Sequence, residues 1–327
     1  MTGSLRFPVL LNSGDPFPEP ESALRVPDGL LAVGGDLSVD RLIDAYRSGI
    51  FPWFGTDQPI LWWSPDPRAV LDPRAFVVSR SLCKRLRKTG SSSPPSGCGR
   101  DQEENIGGPI VWRVTCDDAF DRVVAACAAP RESAGEPSES DLSGAHERER
   151  REVDDRPVEA NGGGLVHEHE HGCEPRQDWT HTWIVPEMQA AYSRLHRHGH
   201  AHSIEVWQGD DLIGGVYGVA VGRVFCGESM FHRVRDASKV ALAWLCANLM
   251  AWGFEWVDIQ QDTQHLRSLG ATAVSRRRYL EILRRLAAEP VAASAWTELS
   301  VHPLETIPSR GQRGRVDSDQ AEGLPVG

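Results

Sequence analysis

Along the 327-residue chain, stretches with a strand or helix period alternate with stretches that have neither. Three neighbouring runs read as strands: "HSIEVWQ" (202–208), "LIGGVYGVAV" (212–221) and "VFCGESMF" (224–231). The turn sequences "GDD" and "GR" separate them, which predicts an antiparallel meander. "DASKVALAWLCANLMAWGF" follows, with Val240, Ala243, Trp244, Ala247 and Met250 at three- and four-residue steps. That spacing predicts a long helix ending at Gly253. "EWVDIQ" (255–260) predicts a strand, and "SRRRYLEILRRLAA" (275–288) a helix capped by Ser275. Upstream, "PIVWRV" (109–114) and "THTWI" (180–184) read as strands. "DDAFDRVVAACA" reads as a helix, with Thr115 a candidate N-cap and Asp118 three residues on. "PEMQAAYSRLHRHG" reads as another, with Pro186 in its first turn and Gly199 at its end. A meander, a helix and a further strand make an α+β pattern. No GxGxxG follows a strand and no GxxxxGK[ST] occurs, so the pattern calls for no nucleotide cofactor.

Three segments break the pattern. Residues 89–108, about 132–177 and 303–327 are rich in Gly, Pro, Ser and charge and poor in aromatic rings. They cannot bury enough apolar surface to offset chain entropy, so two disordered insertions and a disordered tail are expected. The net charge of −11 argues at first against a nucleic-acid partner. Its distribution changes that reading. Between Glu132 and Arg176, thirteen acids face five arginines, a net of −8, so only −3 falls on the rest of the chain. Seven cysteines without a CxxC pair argue against a disulfide framework and for a reducing cytoplasm. No apolar run is long enough for a membrane span, and the N-terminus does not read as a signal peptide.

The most unusual stretch is "SGIFPWFGTDQPILWWSPDPRAVL" (48–71), where Trp53, Trp62 and Trp63 stand among four prolines. It reads either as a stiffened linker laying its rings over a seam or as a stacking platform for unpaired bases. On "EWVDIQ", Asp258 and Gln260 share one strand face, with Val257 and Ile259 on the other. They can be a hydrogen-bonded polar pair, or a pair that orients an incoming amine and accepts its proton. In "FCGESMF", Gly227 suits an edge bulge or the close approach of a ligand, and Glu228 could receive a cationic amine. The histidines of "HRHGHAHS" (196–203) and "HEHEH" (167–171) lack the fixed geometry of a zinc site, so no metal is expected. Basic clusters at Arg80–Lys88 and Arg276–Arg285 are either solvated helix faces or patches for a phosphate backbone.

Taken together, "GLLAVGGDLSVDRLIDAYRSGIFPWF", "PILWWSPDPRAVL", "HAHSIEVW", "FCGESMF", "ASKVAL" and "HLRSLGA" resemble the leucyl/phenylalanyl-tRNA–protein transferase family, from Phe17 to about Pro303 apart from the two insertions. The resemblance implies a small N-terminal domain (1–66) and a catalytic domain (67–302) with a mixed sheet, like that of the acetyl-CoA-dependent N-acetyltransferases (GNAT). It implies a cytoplasmic, monomeric enzyme without cofactor or metal. Its substrates would be aminoacyl-tRNA carrying Leu or Phe, less often Met, and proteins with N-terminal Arg or Lys, which then enter N-end rule degradation.

Carried over residue by residue, Asp258 and Gln260 match the catalytic pair, Asp258 as base or amine-orienting group and Gln260 as its relay or positioning partner. Glu228 matches a residue near the aminoacyl group, Trp53 and Trp183 match rings around the terminal adenosine, and Tyr46 matches a nearby ring. Tyr192, Val216, Phe225, Met230, Leu242, Leu245 and Val257 match the side-chain pocket. Trp62 and Trp63 would then pack the domain junction. Ile259 stands where relatives often carry Cys, and Val216 and Leu245 replace larger side chains. The rivals are an acetyl-CoA-dependent N-acetyltransferase, a non-catalytic tRNA-binding protein and a zinc hydrolase. "FHRVRDASKV" lacks the glycines of a pyrophosphate loop, which disfavours the first.

Overall fold

The computed structural model describes residues 7–91, 111–129, 182–292 and 295–307. The elements below belong to one compact unit formed by Met1–Ala128 and Trp183–Gly327. The N-terminal part contains β1 (Val9–Leu11), β2 (Leu30–Gly34), α1 (Val39–Arg47), β3 (Phe51–Pro52) and β4 (Leu61–Trp63). These strands form a sheet in the order β1-β2-β4-β3. Trp62 lies at its centre, fully buried, donating Nε1–H to the Gly34 carbonyl at 2.8 Å and meeting the Phe17 ring edge-on. Trp62 is therefore core of this small sheet, and the indole of Trp63 is pinned to the Trp53 carbonyl at 2.7 Å.

The larger sheet takes β5 (Arg68–Leu71), α2 (Arg80–Leu86), β6 (Thr89–Ser91), β7 (Trp112–Cys116), α3 (Phe120–Ala128) and α4 (Pro186–Arg197) before the meander. The meander is β8 (Ala201–Gln208), β9 (Asp211–Val221) and β10 (Val224–His232). Then come α5 (Ala237–Trp252), β11 (Trp256–Gln260), α6 (Gln264–Ser268), β12 (Thr272–Val274), α7 (Arg276–Leu286) and α8 (Pro303–Thr306). The eight strands run β12-β5-β11-β10-β9-β8-β7-β6. β10–β11 and β6–β7 are parallel and the other pairs antiparallel, so the sheet is mixed. The meander appears as the sequence predicts, with two-residue turns in which Gly209 and Gly222 take φ of 58° and 50°.

Helix α5 ends at Gly253 in the left-handed conformation, as expected. Its apolar surface is not one stripe. It lies between the β8–β10 face and the α2 and α8 helices, so nearly every residue is buried. Ser275 caps α7 through its hydroxyl, which accepts the Arg278 N–H at 3.3 Å.

Several expectations need correction. Thr115 does not cap α3: it lies on β7, where its hydroxyl donates to Glu205 at 2.6 Å and accepts from Trp207 at 2.8 Å. The chain turns instead at Asp117, with φ of 59°, and the helix starts at Phe120. The part of "THTWI" within the described residues is no strand, and Val185 serves as the N-cap of α4. Thr89–Ser91 forms β6 at the edge of the first expected insertion. Pro303–Thr306, expected in the tail, is helical and followed by the buried Ile307. The remainder of both insertions and of the tail lies outside the described residues.

Candidate active site

Two irregular strands build the site. β11 carries Asp258, which is fully buried. Its Oδ1 accepts from Arg68 Nε at 2.8 Å and from the Gln260 backbone N–H at 3.0 Å. Its Oδ2 accepts from Arg68 Nη2 at 2.7 Å and from the Tyr279 hydroxyl at 2.8 Å. A carboxylate offers about four acceptor positions, and all are engaged here. Burial works against the Arg68 charge, yet the Asp258 carboxylate beside it holds the guanidinium more firmly protonated than usual. Arg68 also donates to the Gly49 carbonyl at 3.3 Å and lies 4.7 Å from both the Phe51 and Tyr279 ring centres.

Asp258 and Gln260 are not simply alternate residues of a regular strand. The register of β11 against β5 slips between them, and Gln260 takes φ of 54°. The Asp258 carboxylate holds that conformation by accepting the Gln260 N–H. Val257 and Ile259 both pack toward α5, as the two-residue alternation predicts.

Glu228 sits at a second irregularity, where the register of β10 against β9 slips between Gly227 and Ser229. The expected bulge is present, but β10 is an interior strand, not an edge. The bulge turns the carboxyl toward Tyr192, whose hydroxyl donates to Oε2 at 2.5 Å, and toward Gln260, whose Nε2 donates to Oε1 at 3.3 Å. The Tyr46 hydroxyl lies 3.3 Å from that of Tyr192. Burial raises the Glu228 pKa to about 7 against the opposing hydrogen bonds of the two tyrosines. Burial and then the Glu228 charge push both phenols above their ordinary range. Near neutral pH the carboxyl can thus bind an ammonium or exchange a proton.

The structure brings Tyr46, Tyr192, Glu228, Asp258 and Gln260 together. Val216, Phe225, Met230, Leu242, Leu245 and Val257 gather in one hydrophobic cluster with α5, whereas Tyr192 belongs to the other cluster with Tyr46 and Tyr217. The seven expected pocket residues are thus divided between two clusters. Trp53 and Trp183 are both partly buried against the Tyr46 cluster. Trp53 also lines a cavity of about 240 Å³ with Phe51, Trp63 and Gln260.

Sequence reasoning missed Arg68 and Tyr279. The available signal was an arginine opening the otherwise apolar strand "RAVL", a place a charge occupies only with a partner. Away from the site, Asp117, His196 and His202 place potential ligand atoms within 4.8 Å of one another. His202 is bonded through both ring nitrogens, to Asp117 at 2.6 Å and to the Gly199 carbonyl at 3.2 Å, so the cluster props the β7–α3 turn. The "HEHEH" histidines lie outside the described residues.

Coupled ionisable groups gathered on neighbouring strands beside a cavity are the arrangement of an enzyme active site. Residues 159–284 match the family model described as leucyl/phenylalanyl-tRNA protein transferase, and residues 35–66 match that of its N-terminal domain. The chain is 44% identical over 285 residues to the leucyl/phenylalanyl-tRNA–protein transferase of Shewanella woodyi, covering 87% of this chain and 93% of that one. It is 44% identical over 277 residues to the protein of the same name from Pseudomonas syringae pv. syringae, covering 85% and 92%. The chain belongs to the leucyl/phenylalanyl-tRNA–protein transferase family. No helix among the described residues is long and apolar enough to cross a membrane.

Proposed function

We propose that this protein moves Leu or Phe, less often Met, from aminoacyl-tRNA to the N-terminal Arg or Lys of acceptor proteins, directing them to N-end rule degradation. The observation that carries this reading is the Glu228–Gln260–Asp258 constellation in a chain of this family. An aminoacyl ester is already activated, so attack by a free amine calls on the protein to position both partners, assist proton loss and stabilise the oxyanion.

In this reading Glu228 receives the α-ammonium group, being half-buried, close to its titration point and bonded to Gln260. Gln260 orients the amine and the carbonyl. Asp258 acts through Gln260: with its acceptor positions filled by Arg68, Tyr279 and the Gln260 N–H, it holds the amide in place rather than taking the proton itself. Trp53 and Trp183 flank the terminal adenosine, with Tyr46 and Tyr192 behind Glu228. Val216, Phe225, Met230, Leu242, Leu245 and Val257 receive the apolar side chain.

The same reading divides the chain into domains at 1–66 and 67–302, the second of N-acetyltransferase type, and takes the protein as a cytoplasmic monomer without cofactor. Against an acetyl-CoA-dependent activity stands the segment leading into α5, "FHRVRDASKV", which has no glycine to let backbone N–H groups approach a pyrophosphate closely. Transfer of labelled Leu from tRNA to an Arg-initiated peptide tests the function. Wild-type rates in both Asp258→Ala and Gln260→Ala would overturn the site assignment.

A further inference from the structure

The cavity beside Gln260 has a charge pattern that acyl transfer alone leaves unused. Three rings, Phe51, Trp53 and Trp63, stand in its walls beside Pro65 and Pro67, Gln260 closes its inner side, and Asp28 and Asp262 are the two carboxylates of the lining. The walls are fixed in advance: the Trp53 and Trp63 rings meet edge-on at 5.6 Å, and Trp63 Nε1 is bonded to the Trp53 carbonyl. Gln260 is only 9% exposed; its Nε2 is turned to Glu228, and among the described residues its Oε1 receives no hydrogen bond. Asp262 is neutralised by Arg267. Asp28 is not: among the described residues it makes no ion pair, and its Oδ1 meets only the Asp66 N–H, at 3.4 Å. Aromatic faces, an unneutralised carboxylate and an open amide oxygen together attract a cation.

We propose that this cavity receives the basic side chain of the acceptor's N-terminal residue, with Asp28 as the carboxylate that selects for it. The inference rests on the transferase reading above and says where that enzyme distinguishes Arg and Lys from neutral residues. Gln260 is the shared boundary. On one side it bonds Glu228, where the acceptor's α-amine sits; on the other it faces the cavity, where the same residue's side chain enters. Aromatic walls suit both the flat guanidinium and the ammonium on its methylene stem, so one cavity accepts either.

The test is steady-state transfer from one aminoacyl-tRNA to three peptides that differ only in their first residue: Arg, Lys, and citrulline, the neutral near-isostere of Arg. The expected result for Asp28→Asn is a KM for the Arg and Lys peptides raised about tenfold, the value expected from losing one charge-assisted contact. The citrulline peptide should change little, so the Arg-over-citrulline preference collapses, while the KM for aminoacyl-tRNA stays where it was. Asp262→Asn, which leaves the Arg267 charge unbalanced at the rim, should also raise the KM for both basic peptides. An undiminished Arg-over-citrulline preference in Asp28→Asn overturns the subsite and leaves the transferase reading standing. A rise confined to the KM for aminoacyl-tRNA overturns it too, and assigns the aromatic cavity to the tRNA end. If the wild-type protein transfers to no Arg peptide, the transferase reading falls and the subsite with it.

Discussion

Replacing Arg68 by Met gives the sharpest test of how the site is held. Met keeps an unbranched apolar stem but removes the charge and three donors, two directed at Asp258 and one at the Gly49 carbonyl. Asp258 would keep the Tyr279 hydroxyl and the Gln260 N–H but lose its counter-charge in a place with no solvent exposure. Breaking a buried ion pair by removing one partner costs about 3–5 kcal/mol. The expected result in urea unfolding is a lower midpoint at unchanged slope, corresponding to a loss of that size. Arg68→Met with Asp258→Asn removes the stranded charge and should recover about 2 kcal/mol or more of the loss.

The same logic separates holding from proton transfer. Asp258→Asn keeps an oxygen for the Gln260 N–H and should retain more activity than Asp258→Ala, whereas a proton-accepting Asp258 would lose about 10²–10⁴-fold in both. The reasoning is refuted if Arg68→Met lies within about 1 kcal/mol of wild type, or if the double variant is no more stable than Arg68→Met.

Other consequences follow from the remaining buried groups. Because the Glu228 pKa is raised to about 7, a rate that needs its carboxylate should climb with pH through that value, and Glu228→Gln should abolish the rise. Glu205 is fully buried and raised, chiefly by burial, to about 7, against hydrogen bonds from Ser203 and Thr115. The folded protein therefore retains this proton where the unfolded chain has lost it, so stability should fall as pH rises from about 4.5 to 7, by at most about 3 kcal/mol, and then level off. Urea midpoints across that range should show the decline, and Glu205→Gln should remove the Glu205 share of it, leaving the share of Glu228, which is raised in the same way. Gly49 has φ of 75°, and a Cβ there would come within 2.5 Å of Leu280 Cδ2, so Gly49→Ala should lower the thermal midpoint, with a cost of about 1–3 kcal/mol.

What could be read along the chain is what neighbouring residues determine. The β8–β10 meander announces itself by alternation and glycine turns, and α5 by an apolar run that ends in Gly253. Asp258, Gln260 and Glu228 stand out as polar residues in strands. The reading fails where a distant partner decides. Thr115 is a sound N-cap by composition, but Glu205 and Trp207 on the adjacent strand claim its hydroxyl. Arg68 meets Asp258 across 190 positions of sequence, and no local rule connects them. Alternation places Asp258 and Gln260 on one face but cannot reveal the slip between them, which depends on the pairing of β11 with β5.

That slip has a counterpart next door. Cys226 of β10 pairs with Asp258 of β11, so Glu228 and Gln260 lie at matching steps along two parallel strands, each beside its own irregularity. Both polar groups therefore depend on chain length as much as on residue type. Removing Ile259 would restore a regular ladder and turn Gln260 to the opposite side of the sheet, among the apolar side chains beneath α5. The site should thus tolerate many single exchanges around it, yet be erased by a one-codon deletion that leaves every catalytic side chain in the polypeptide.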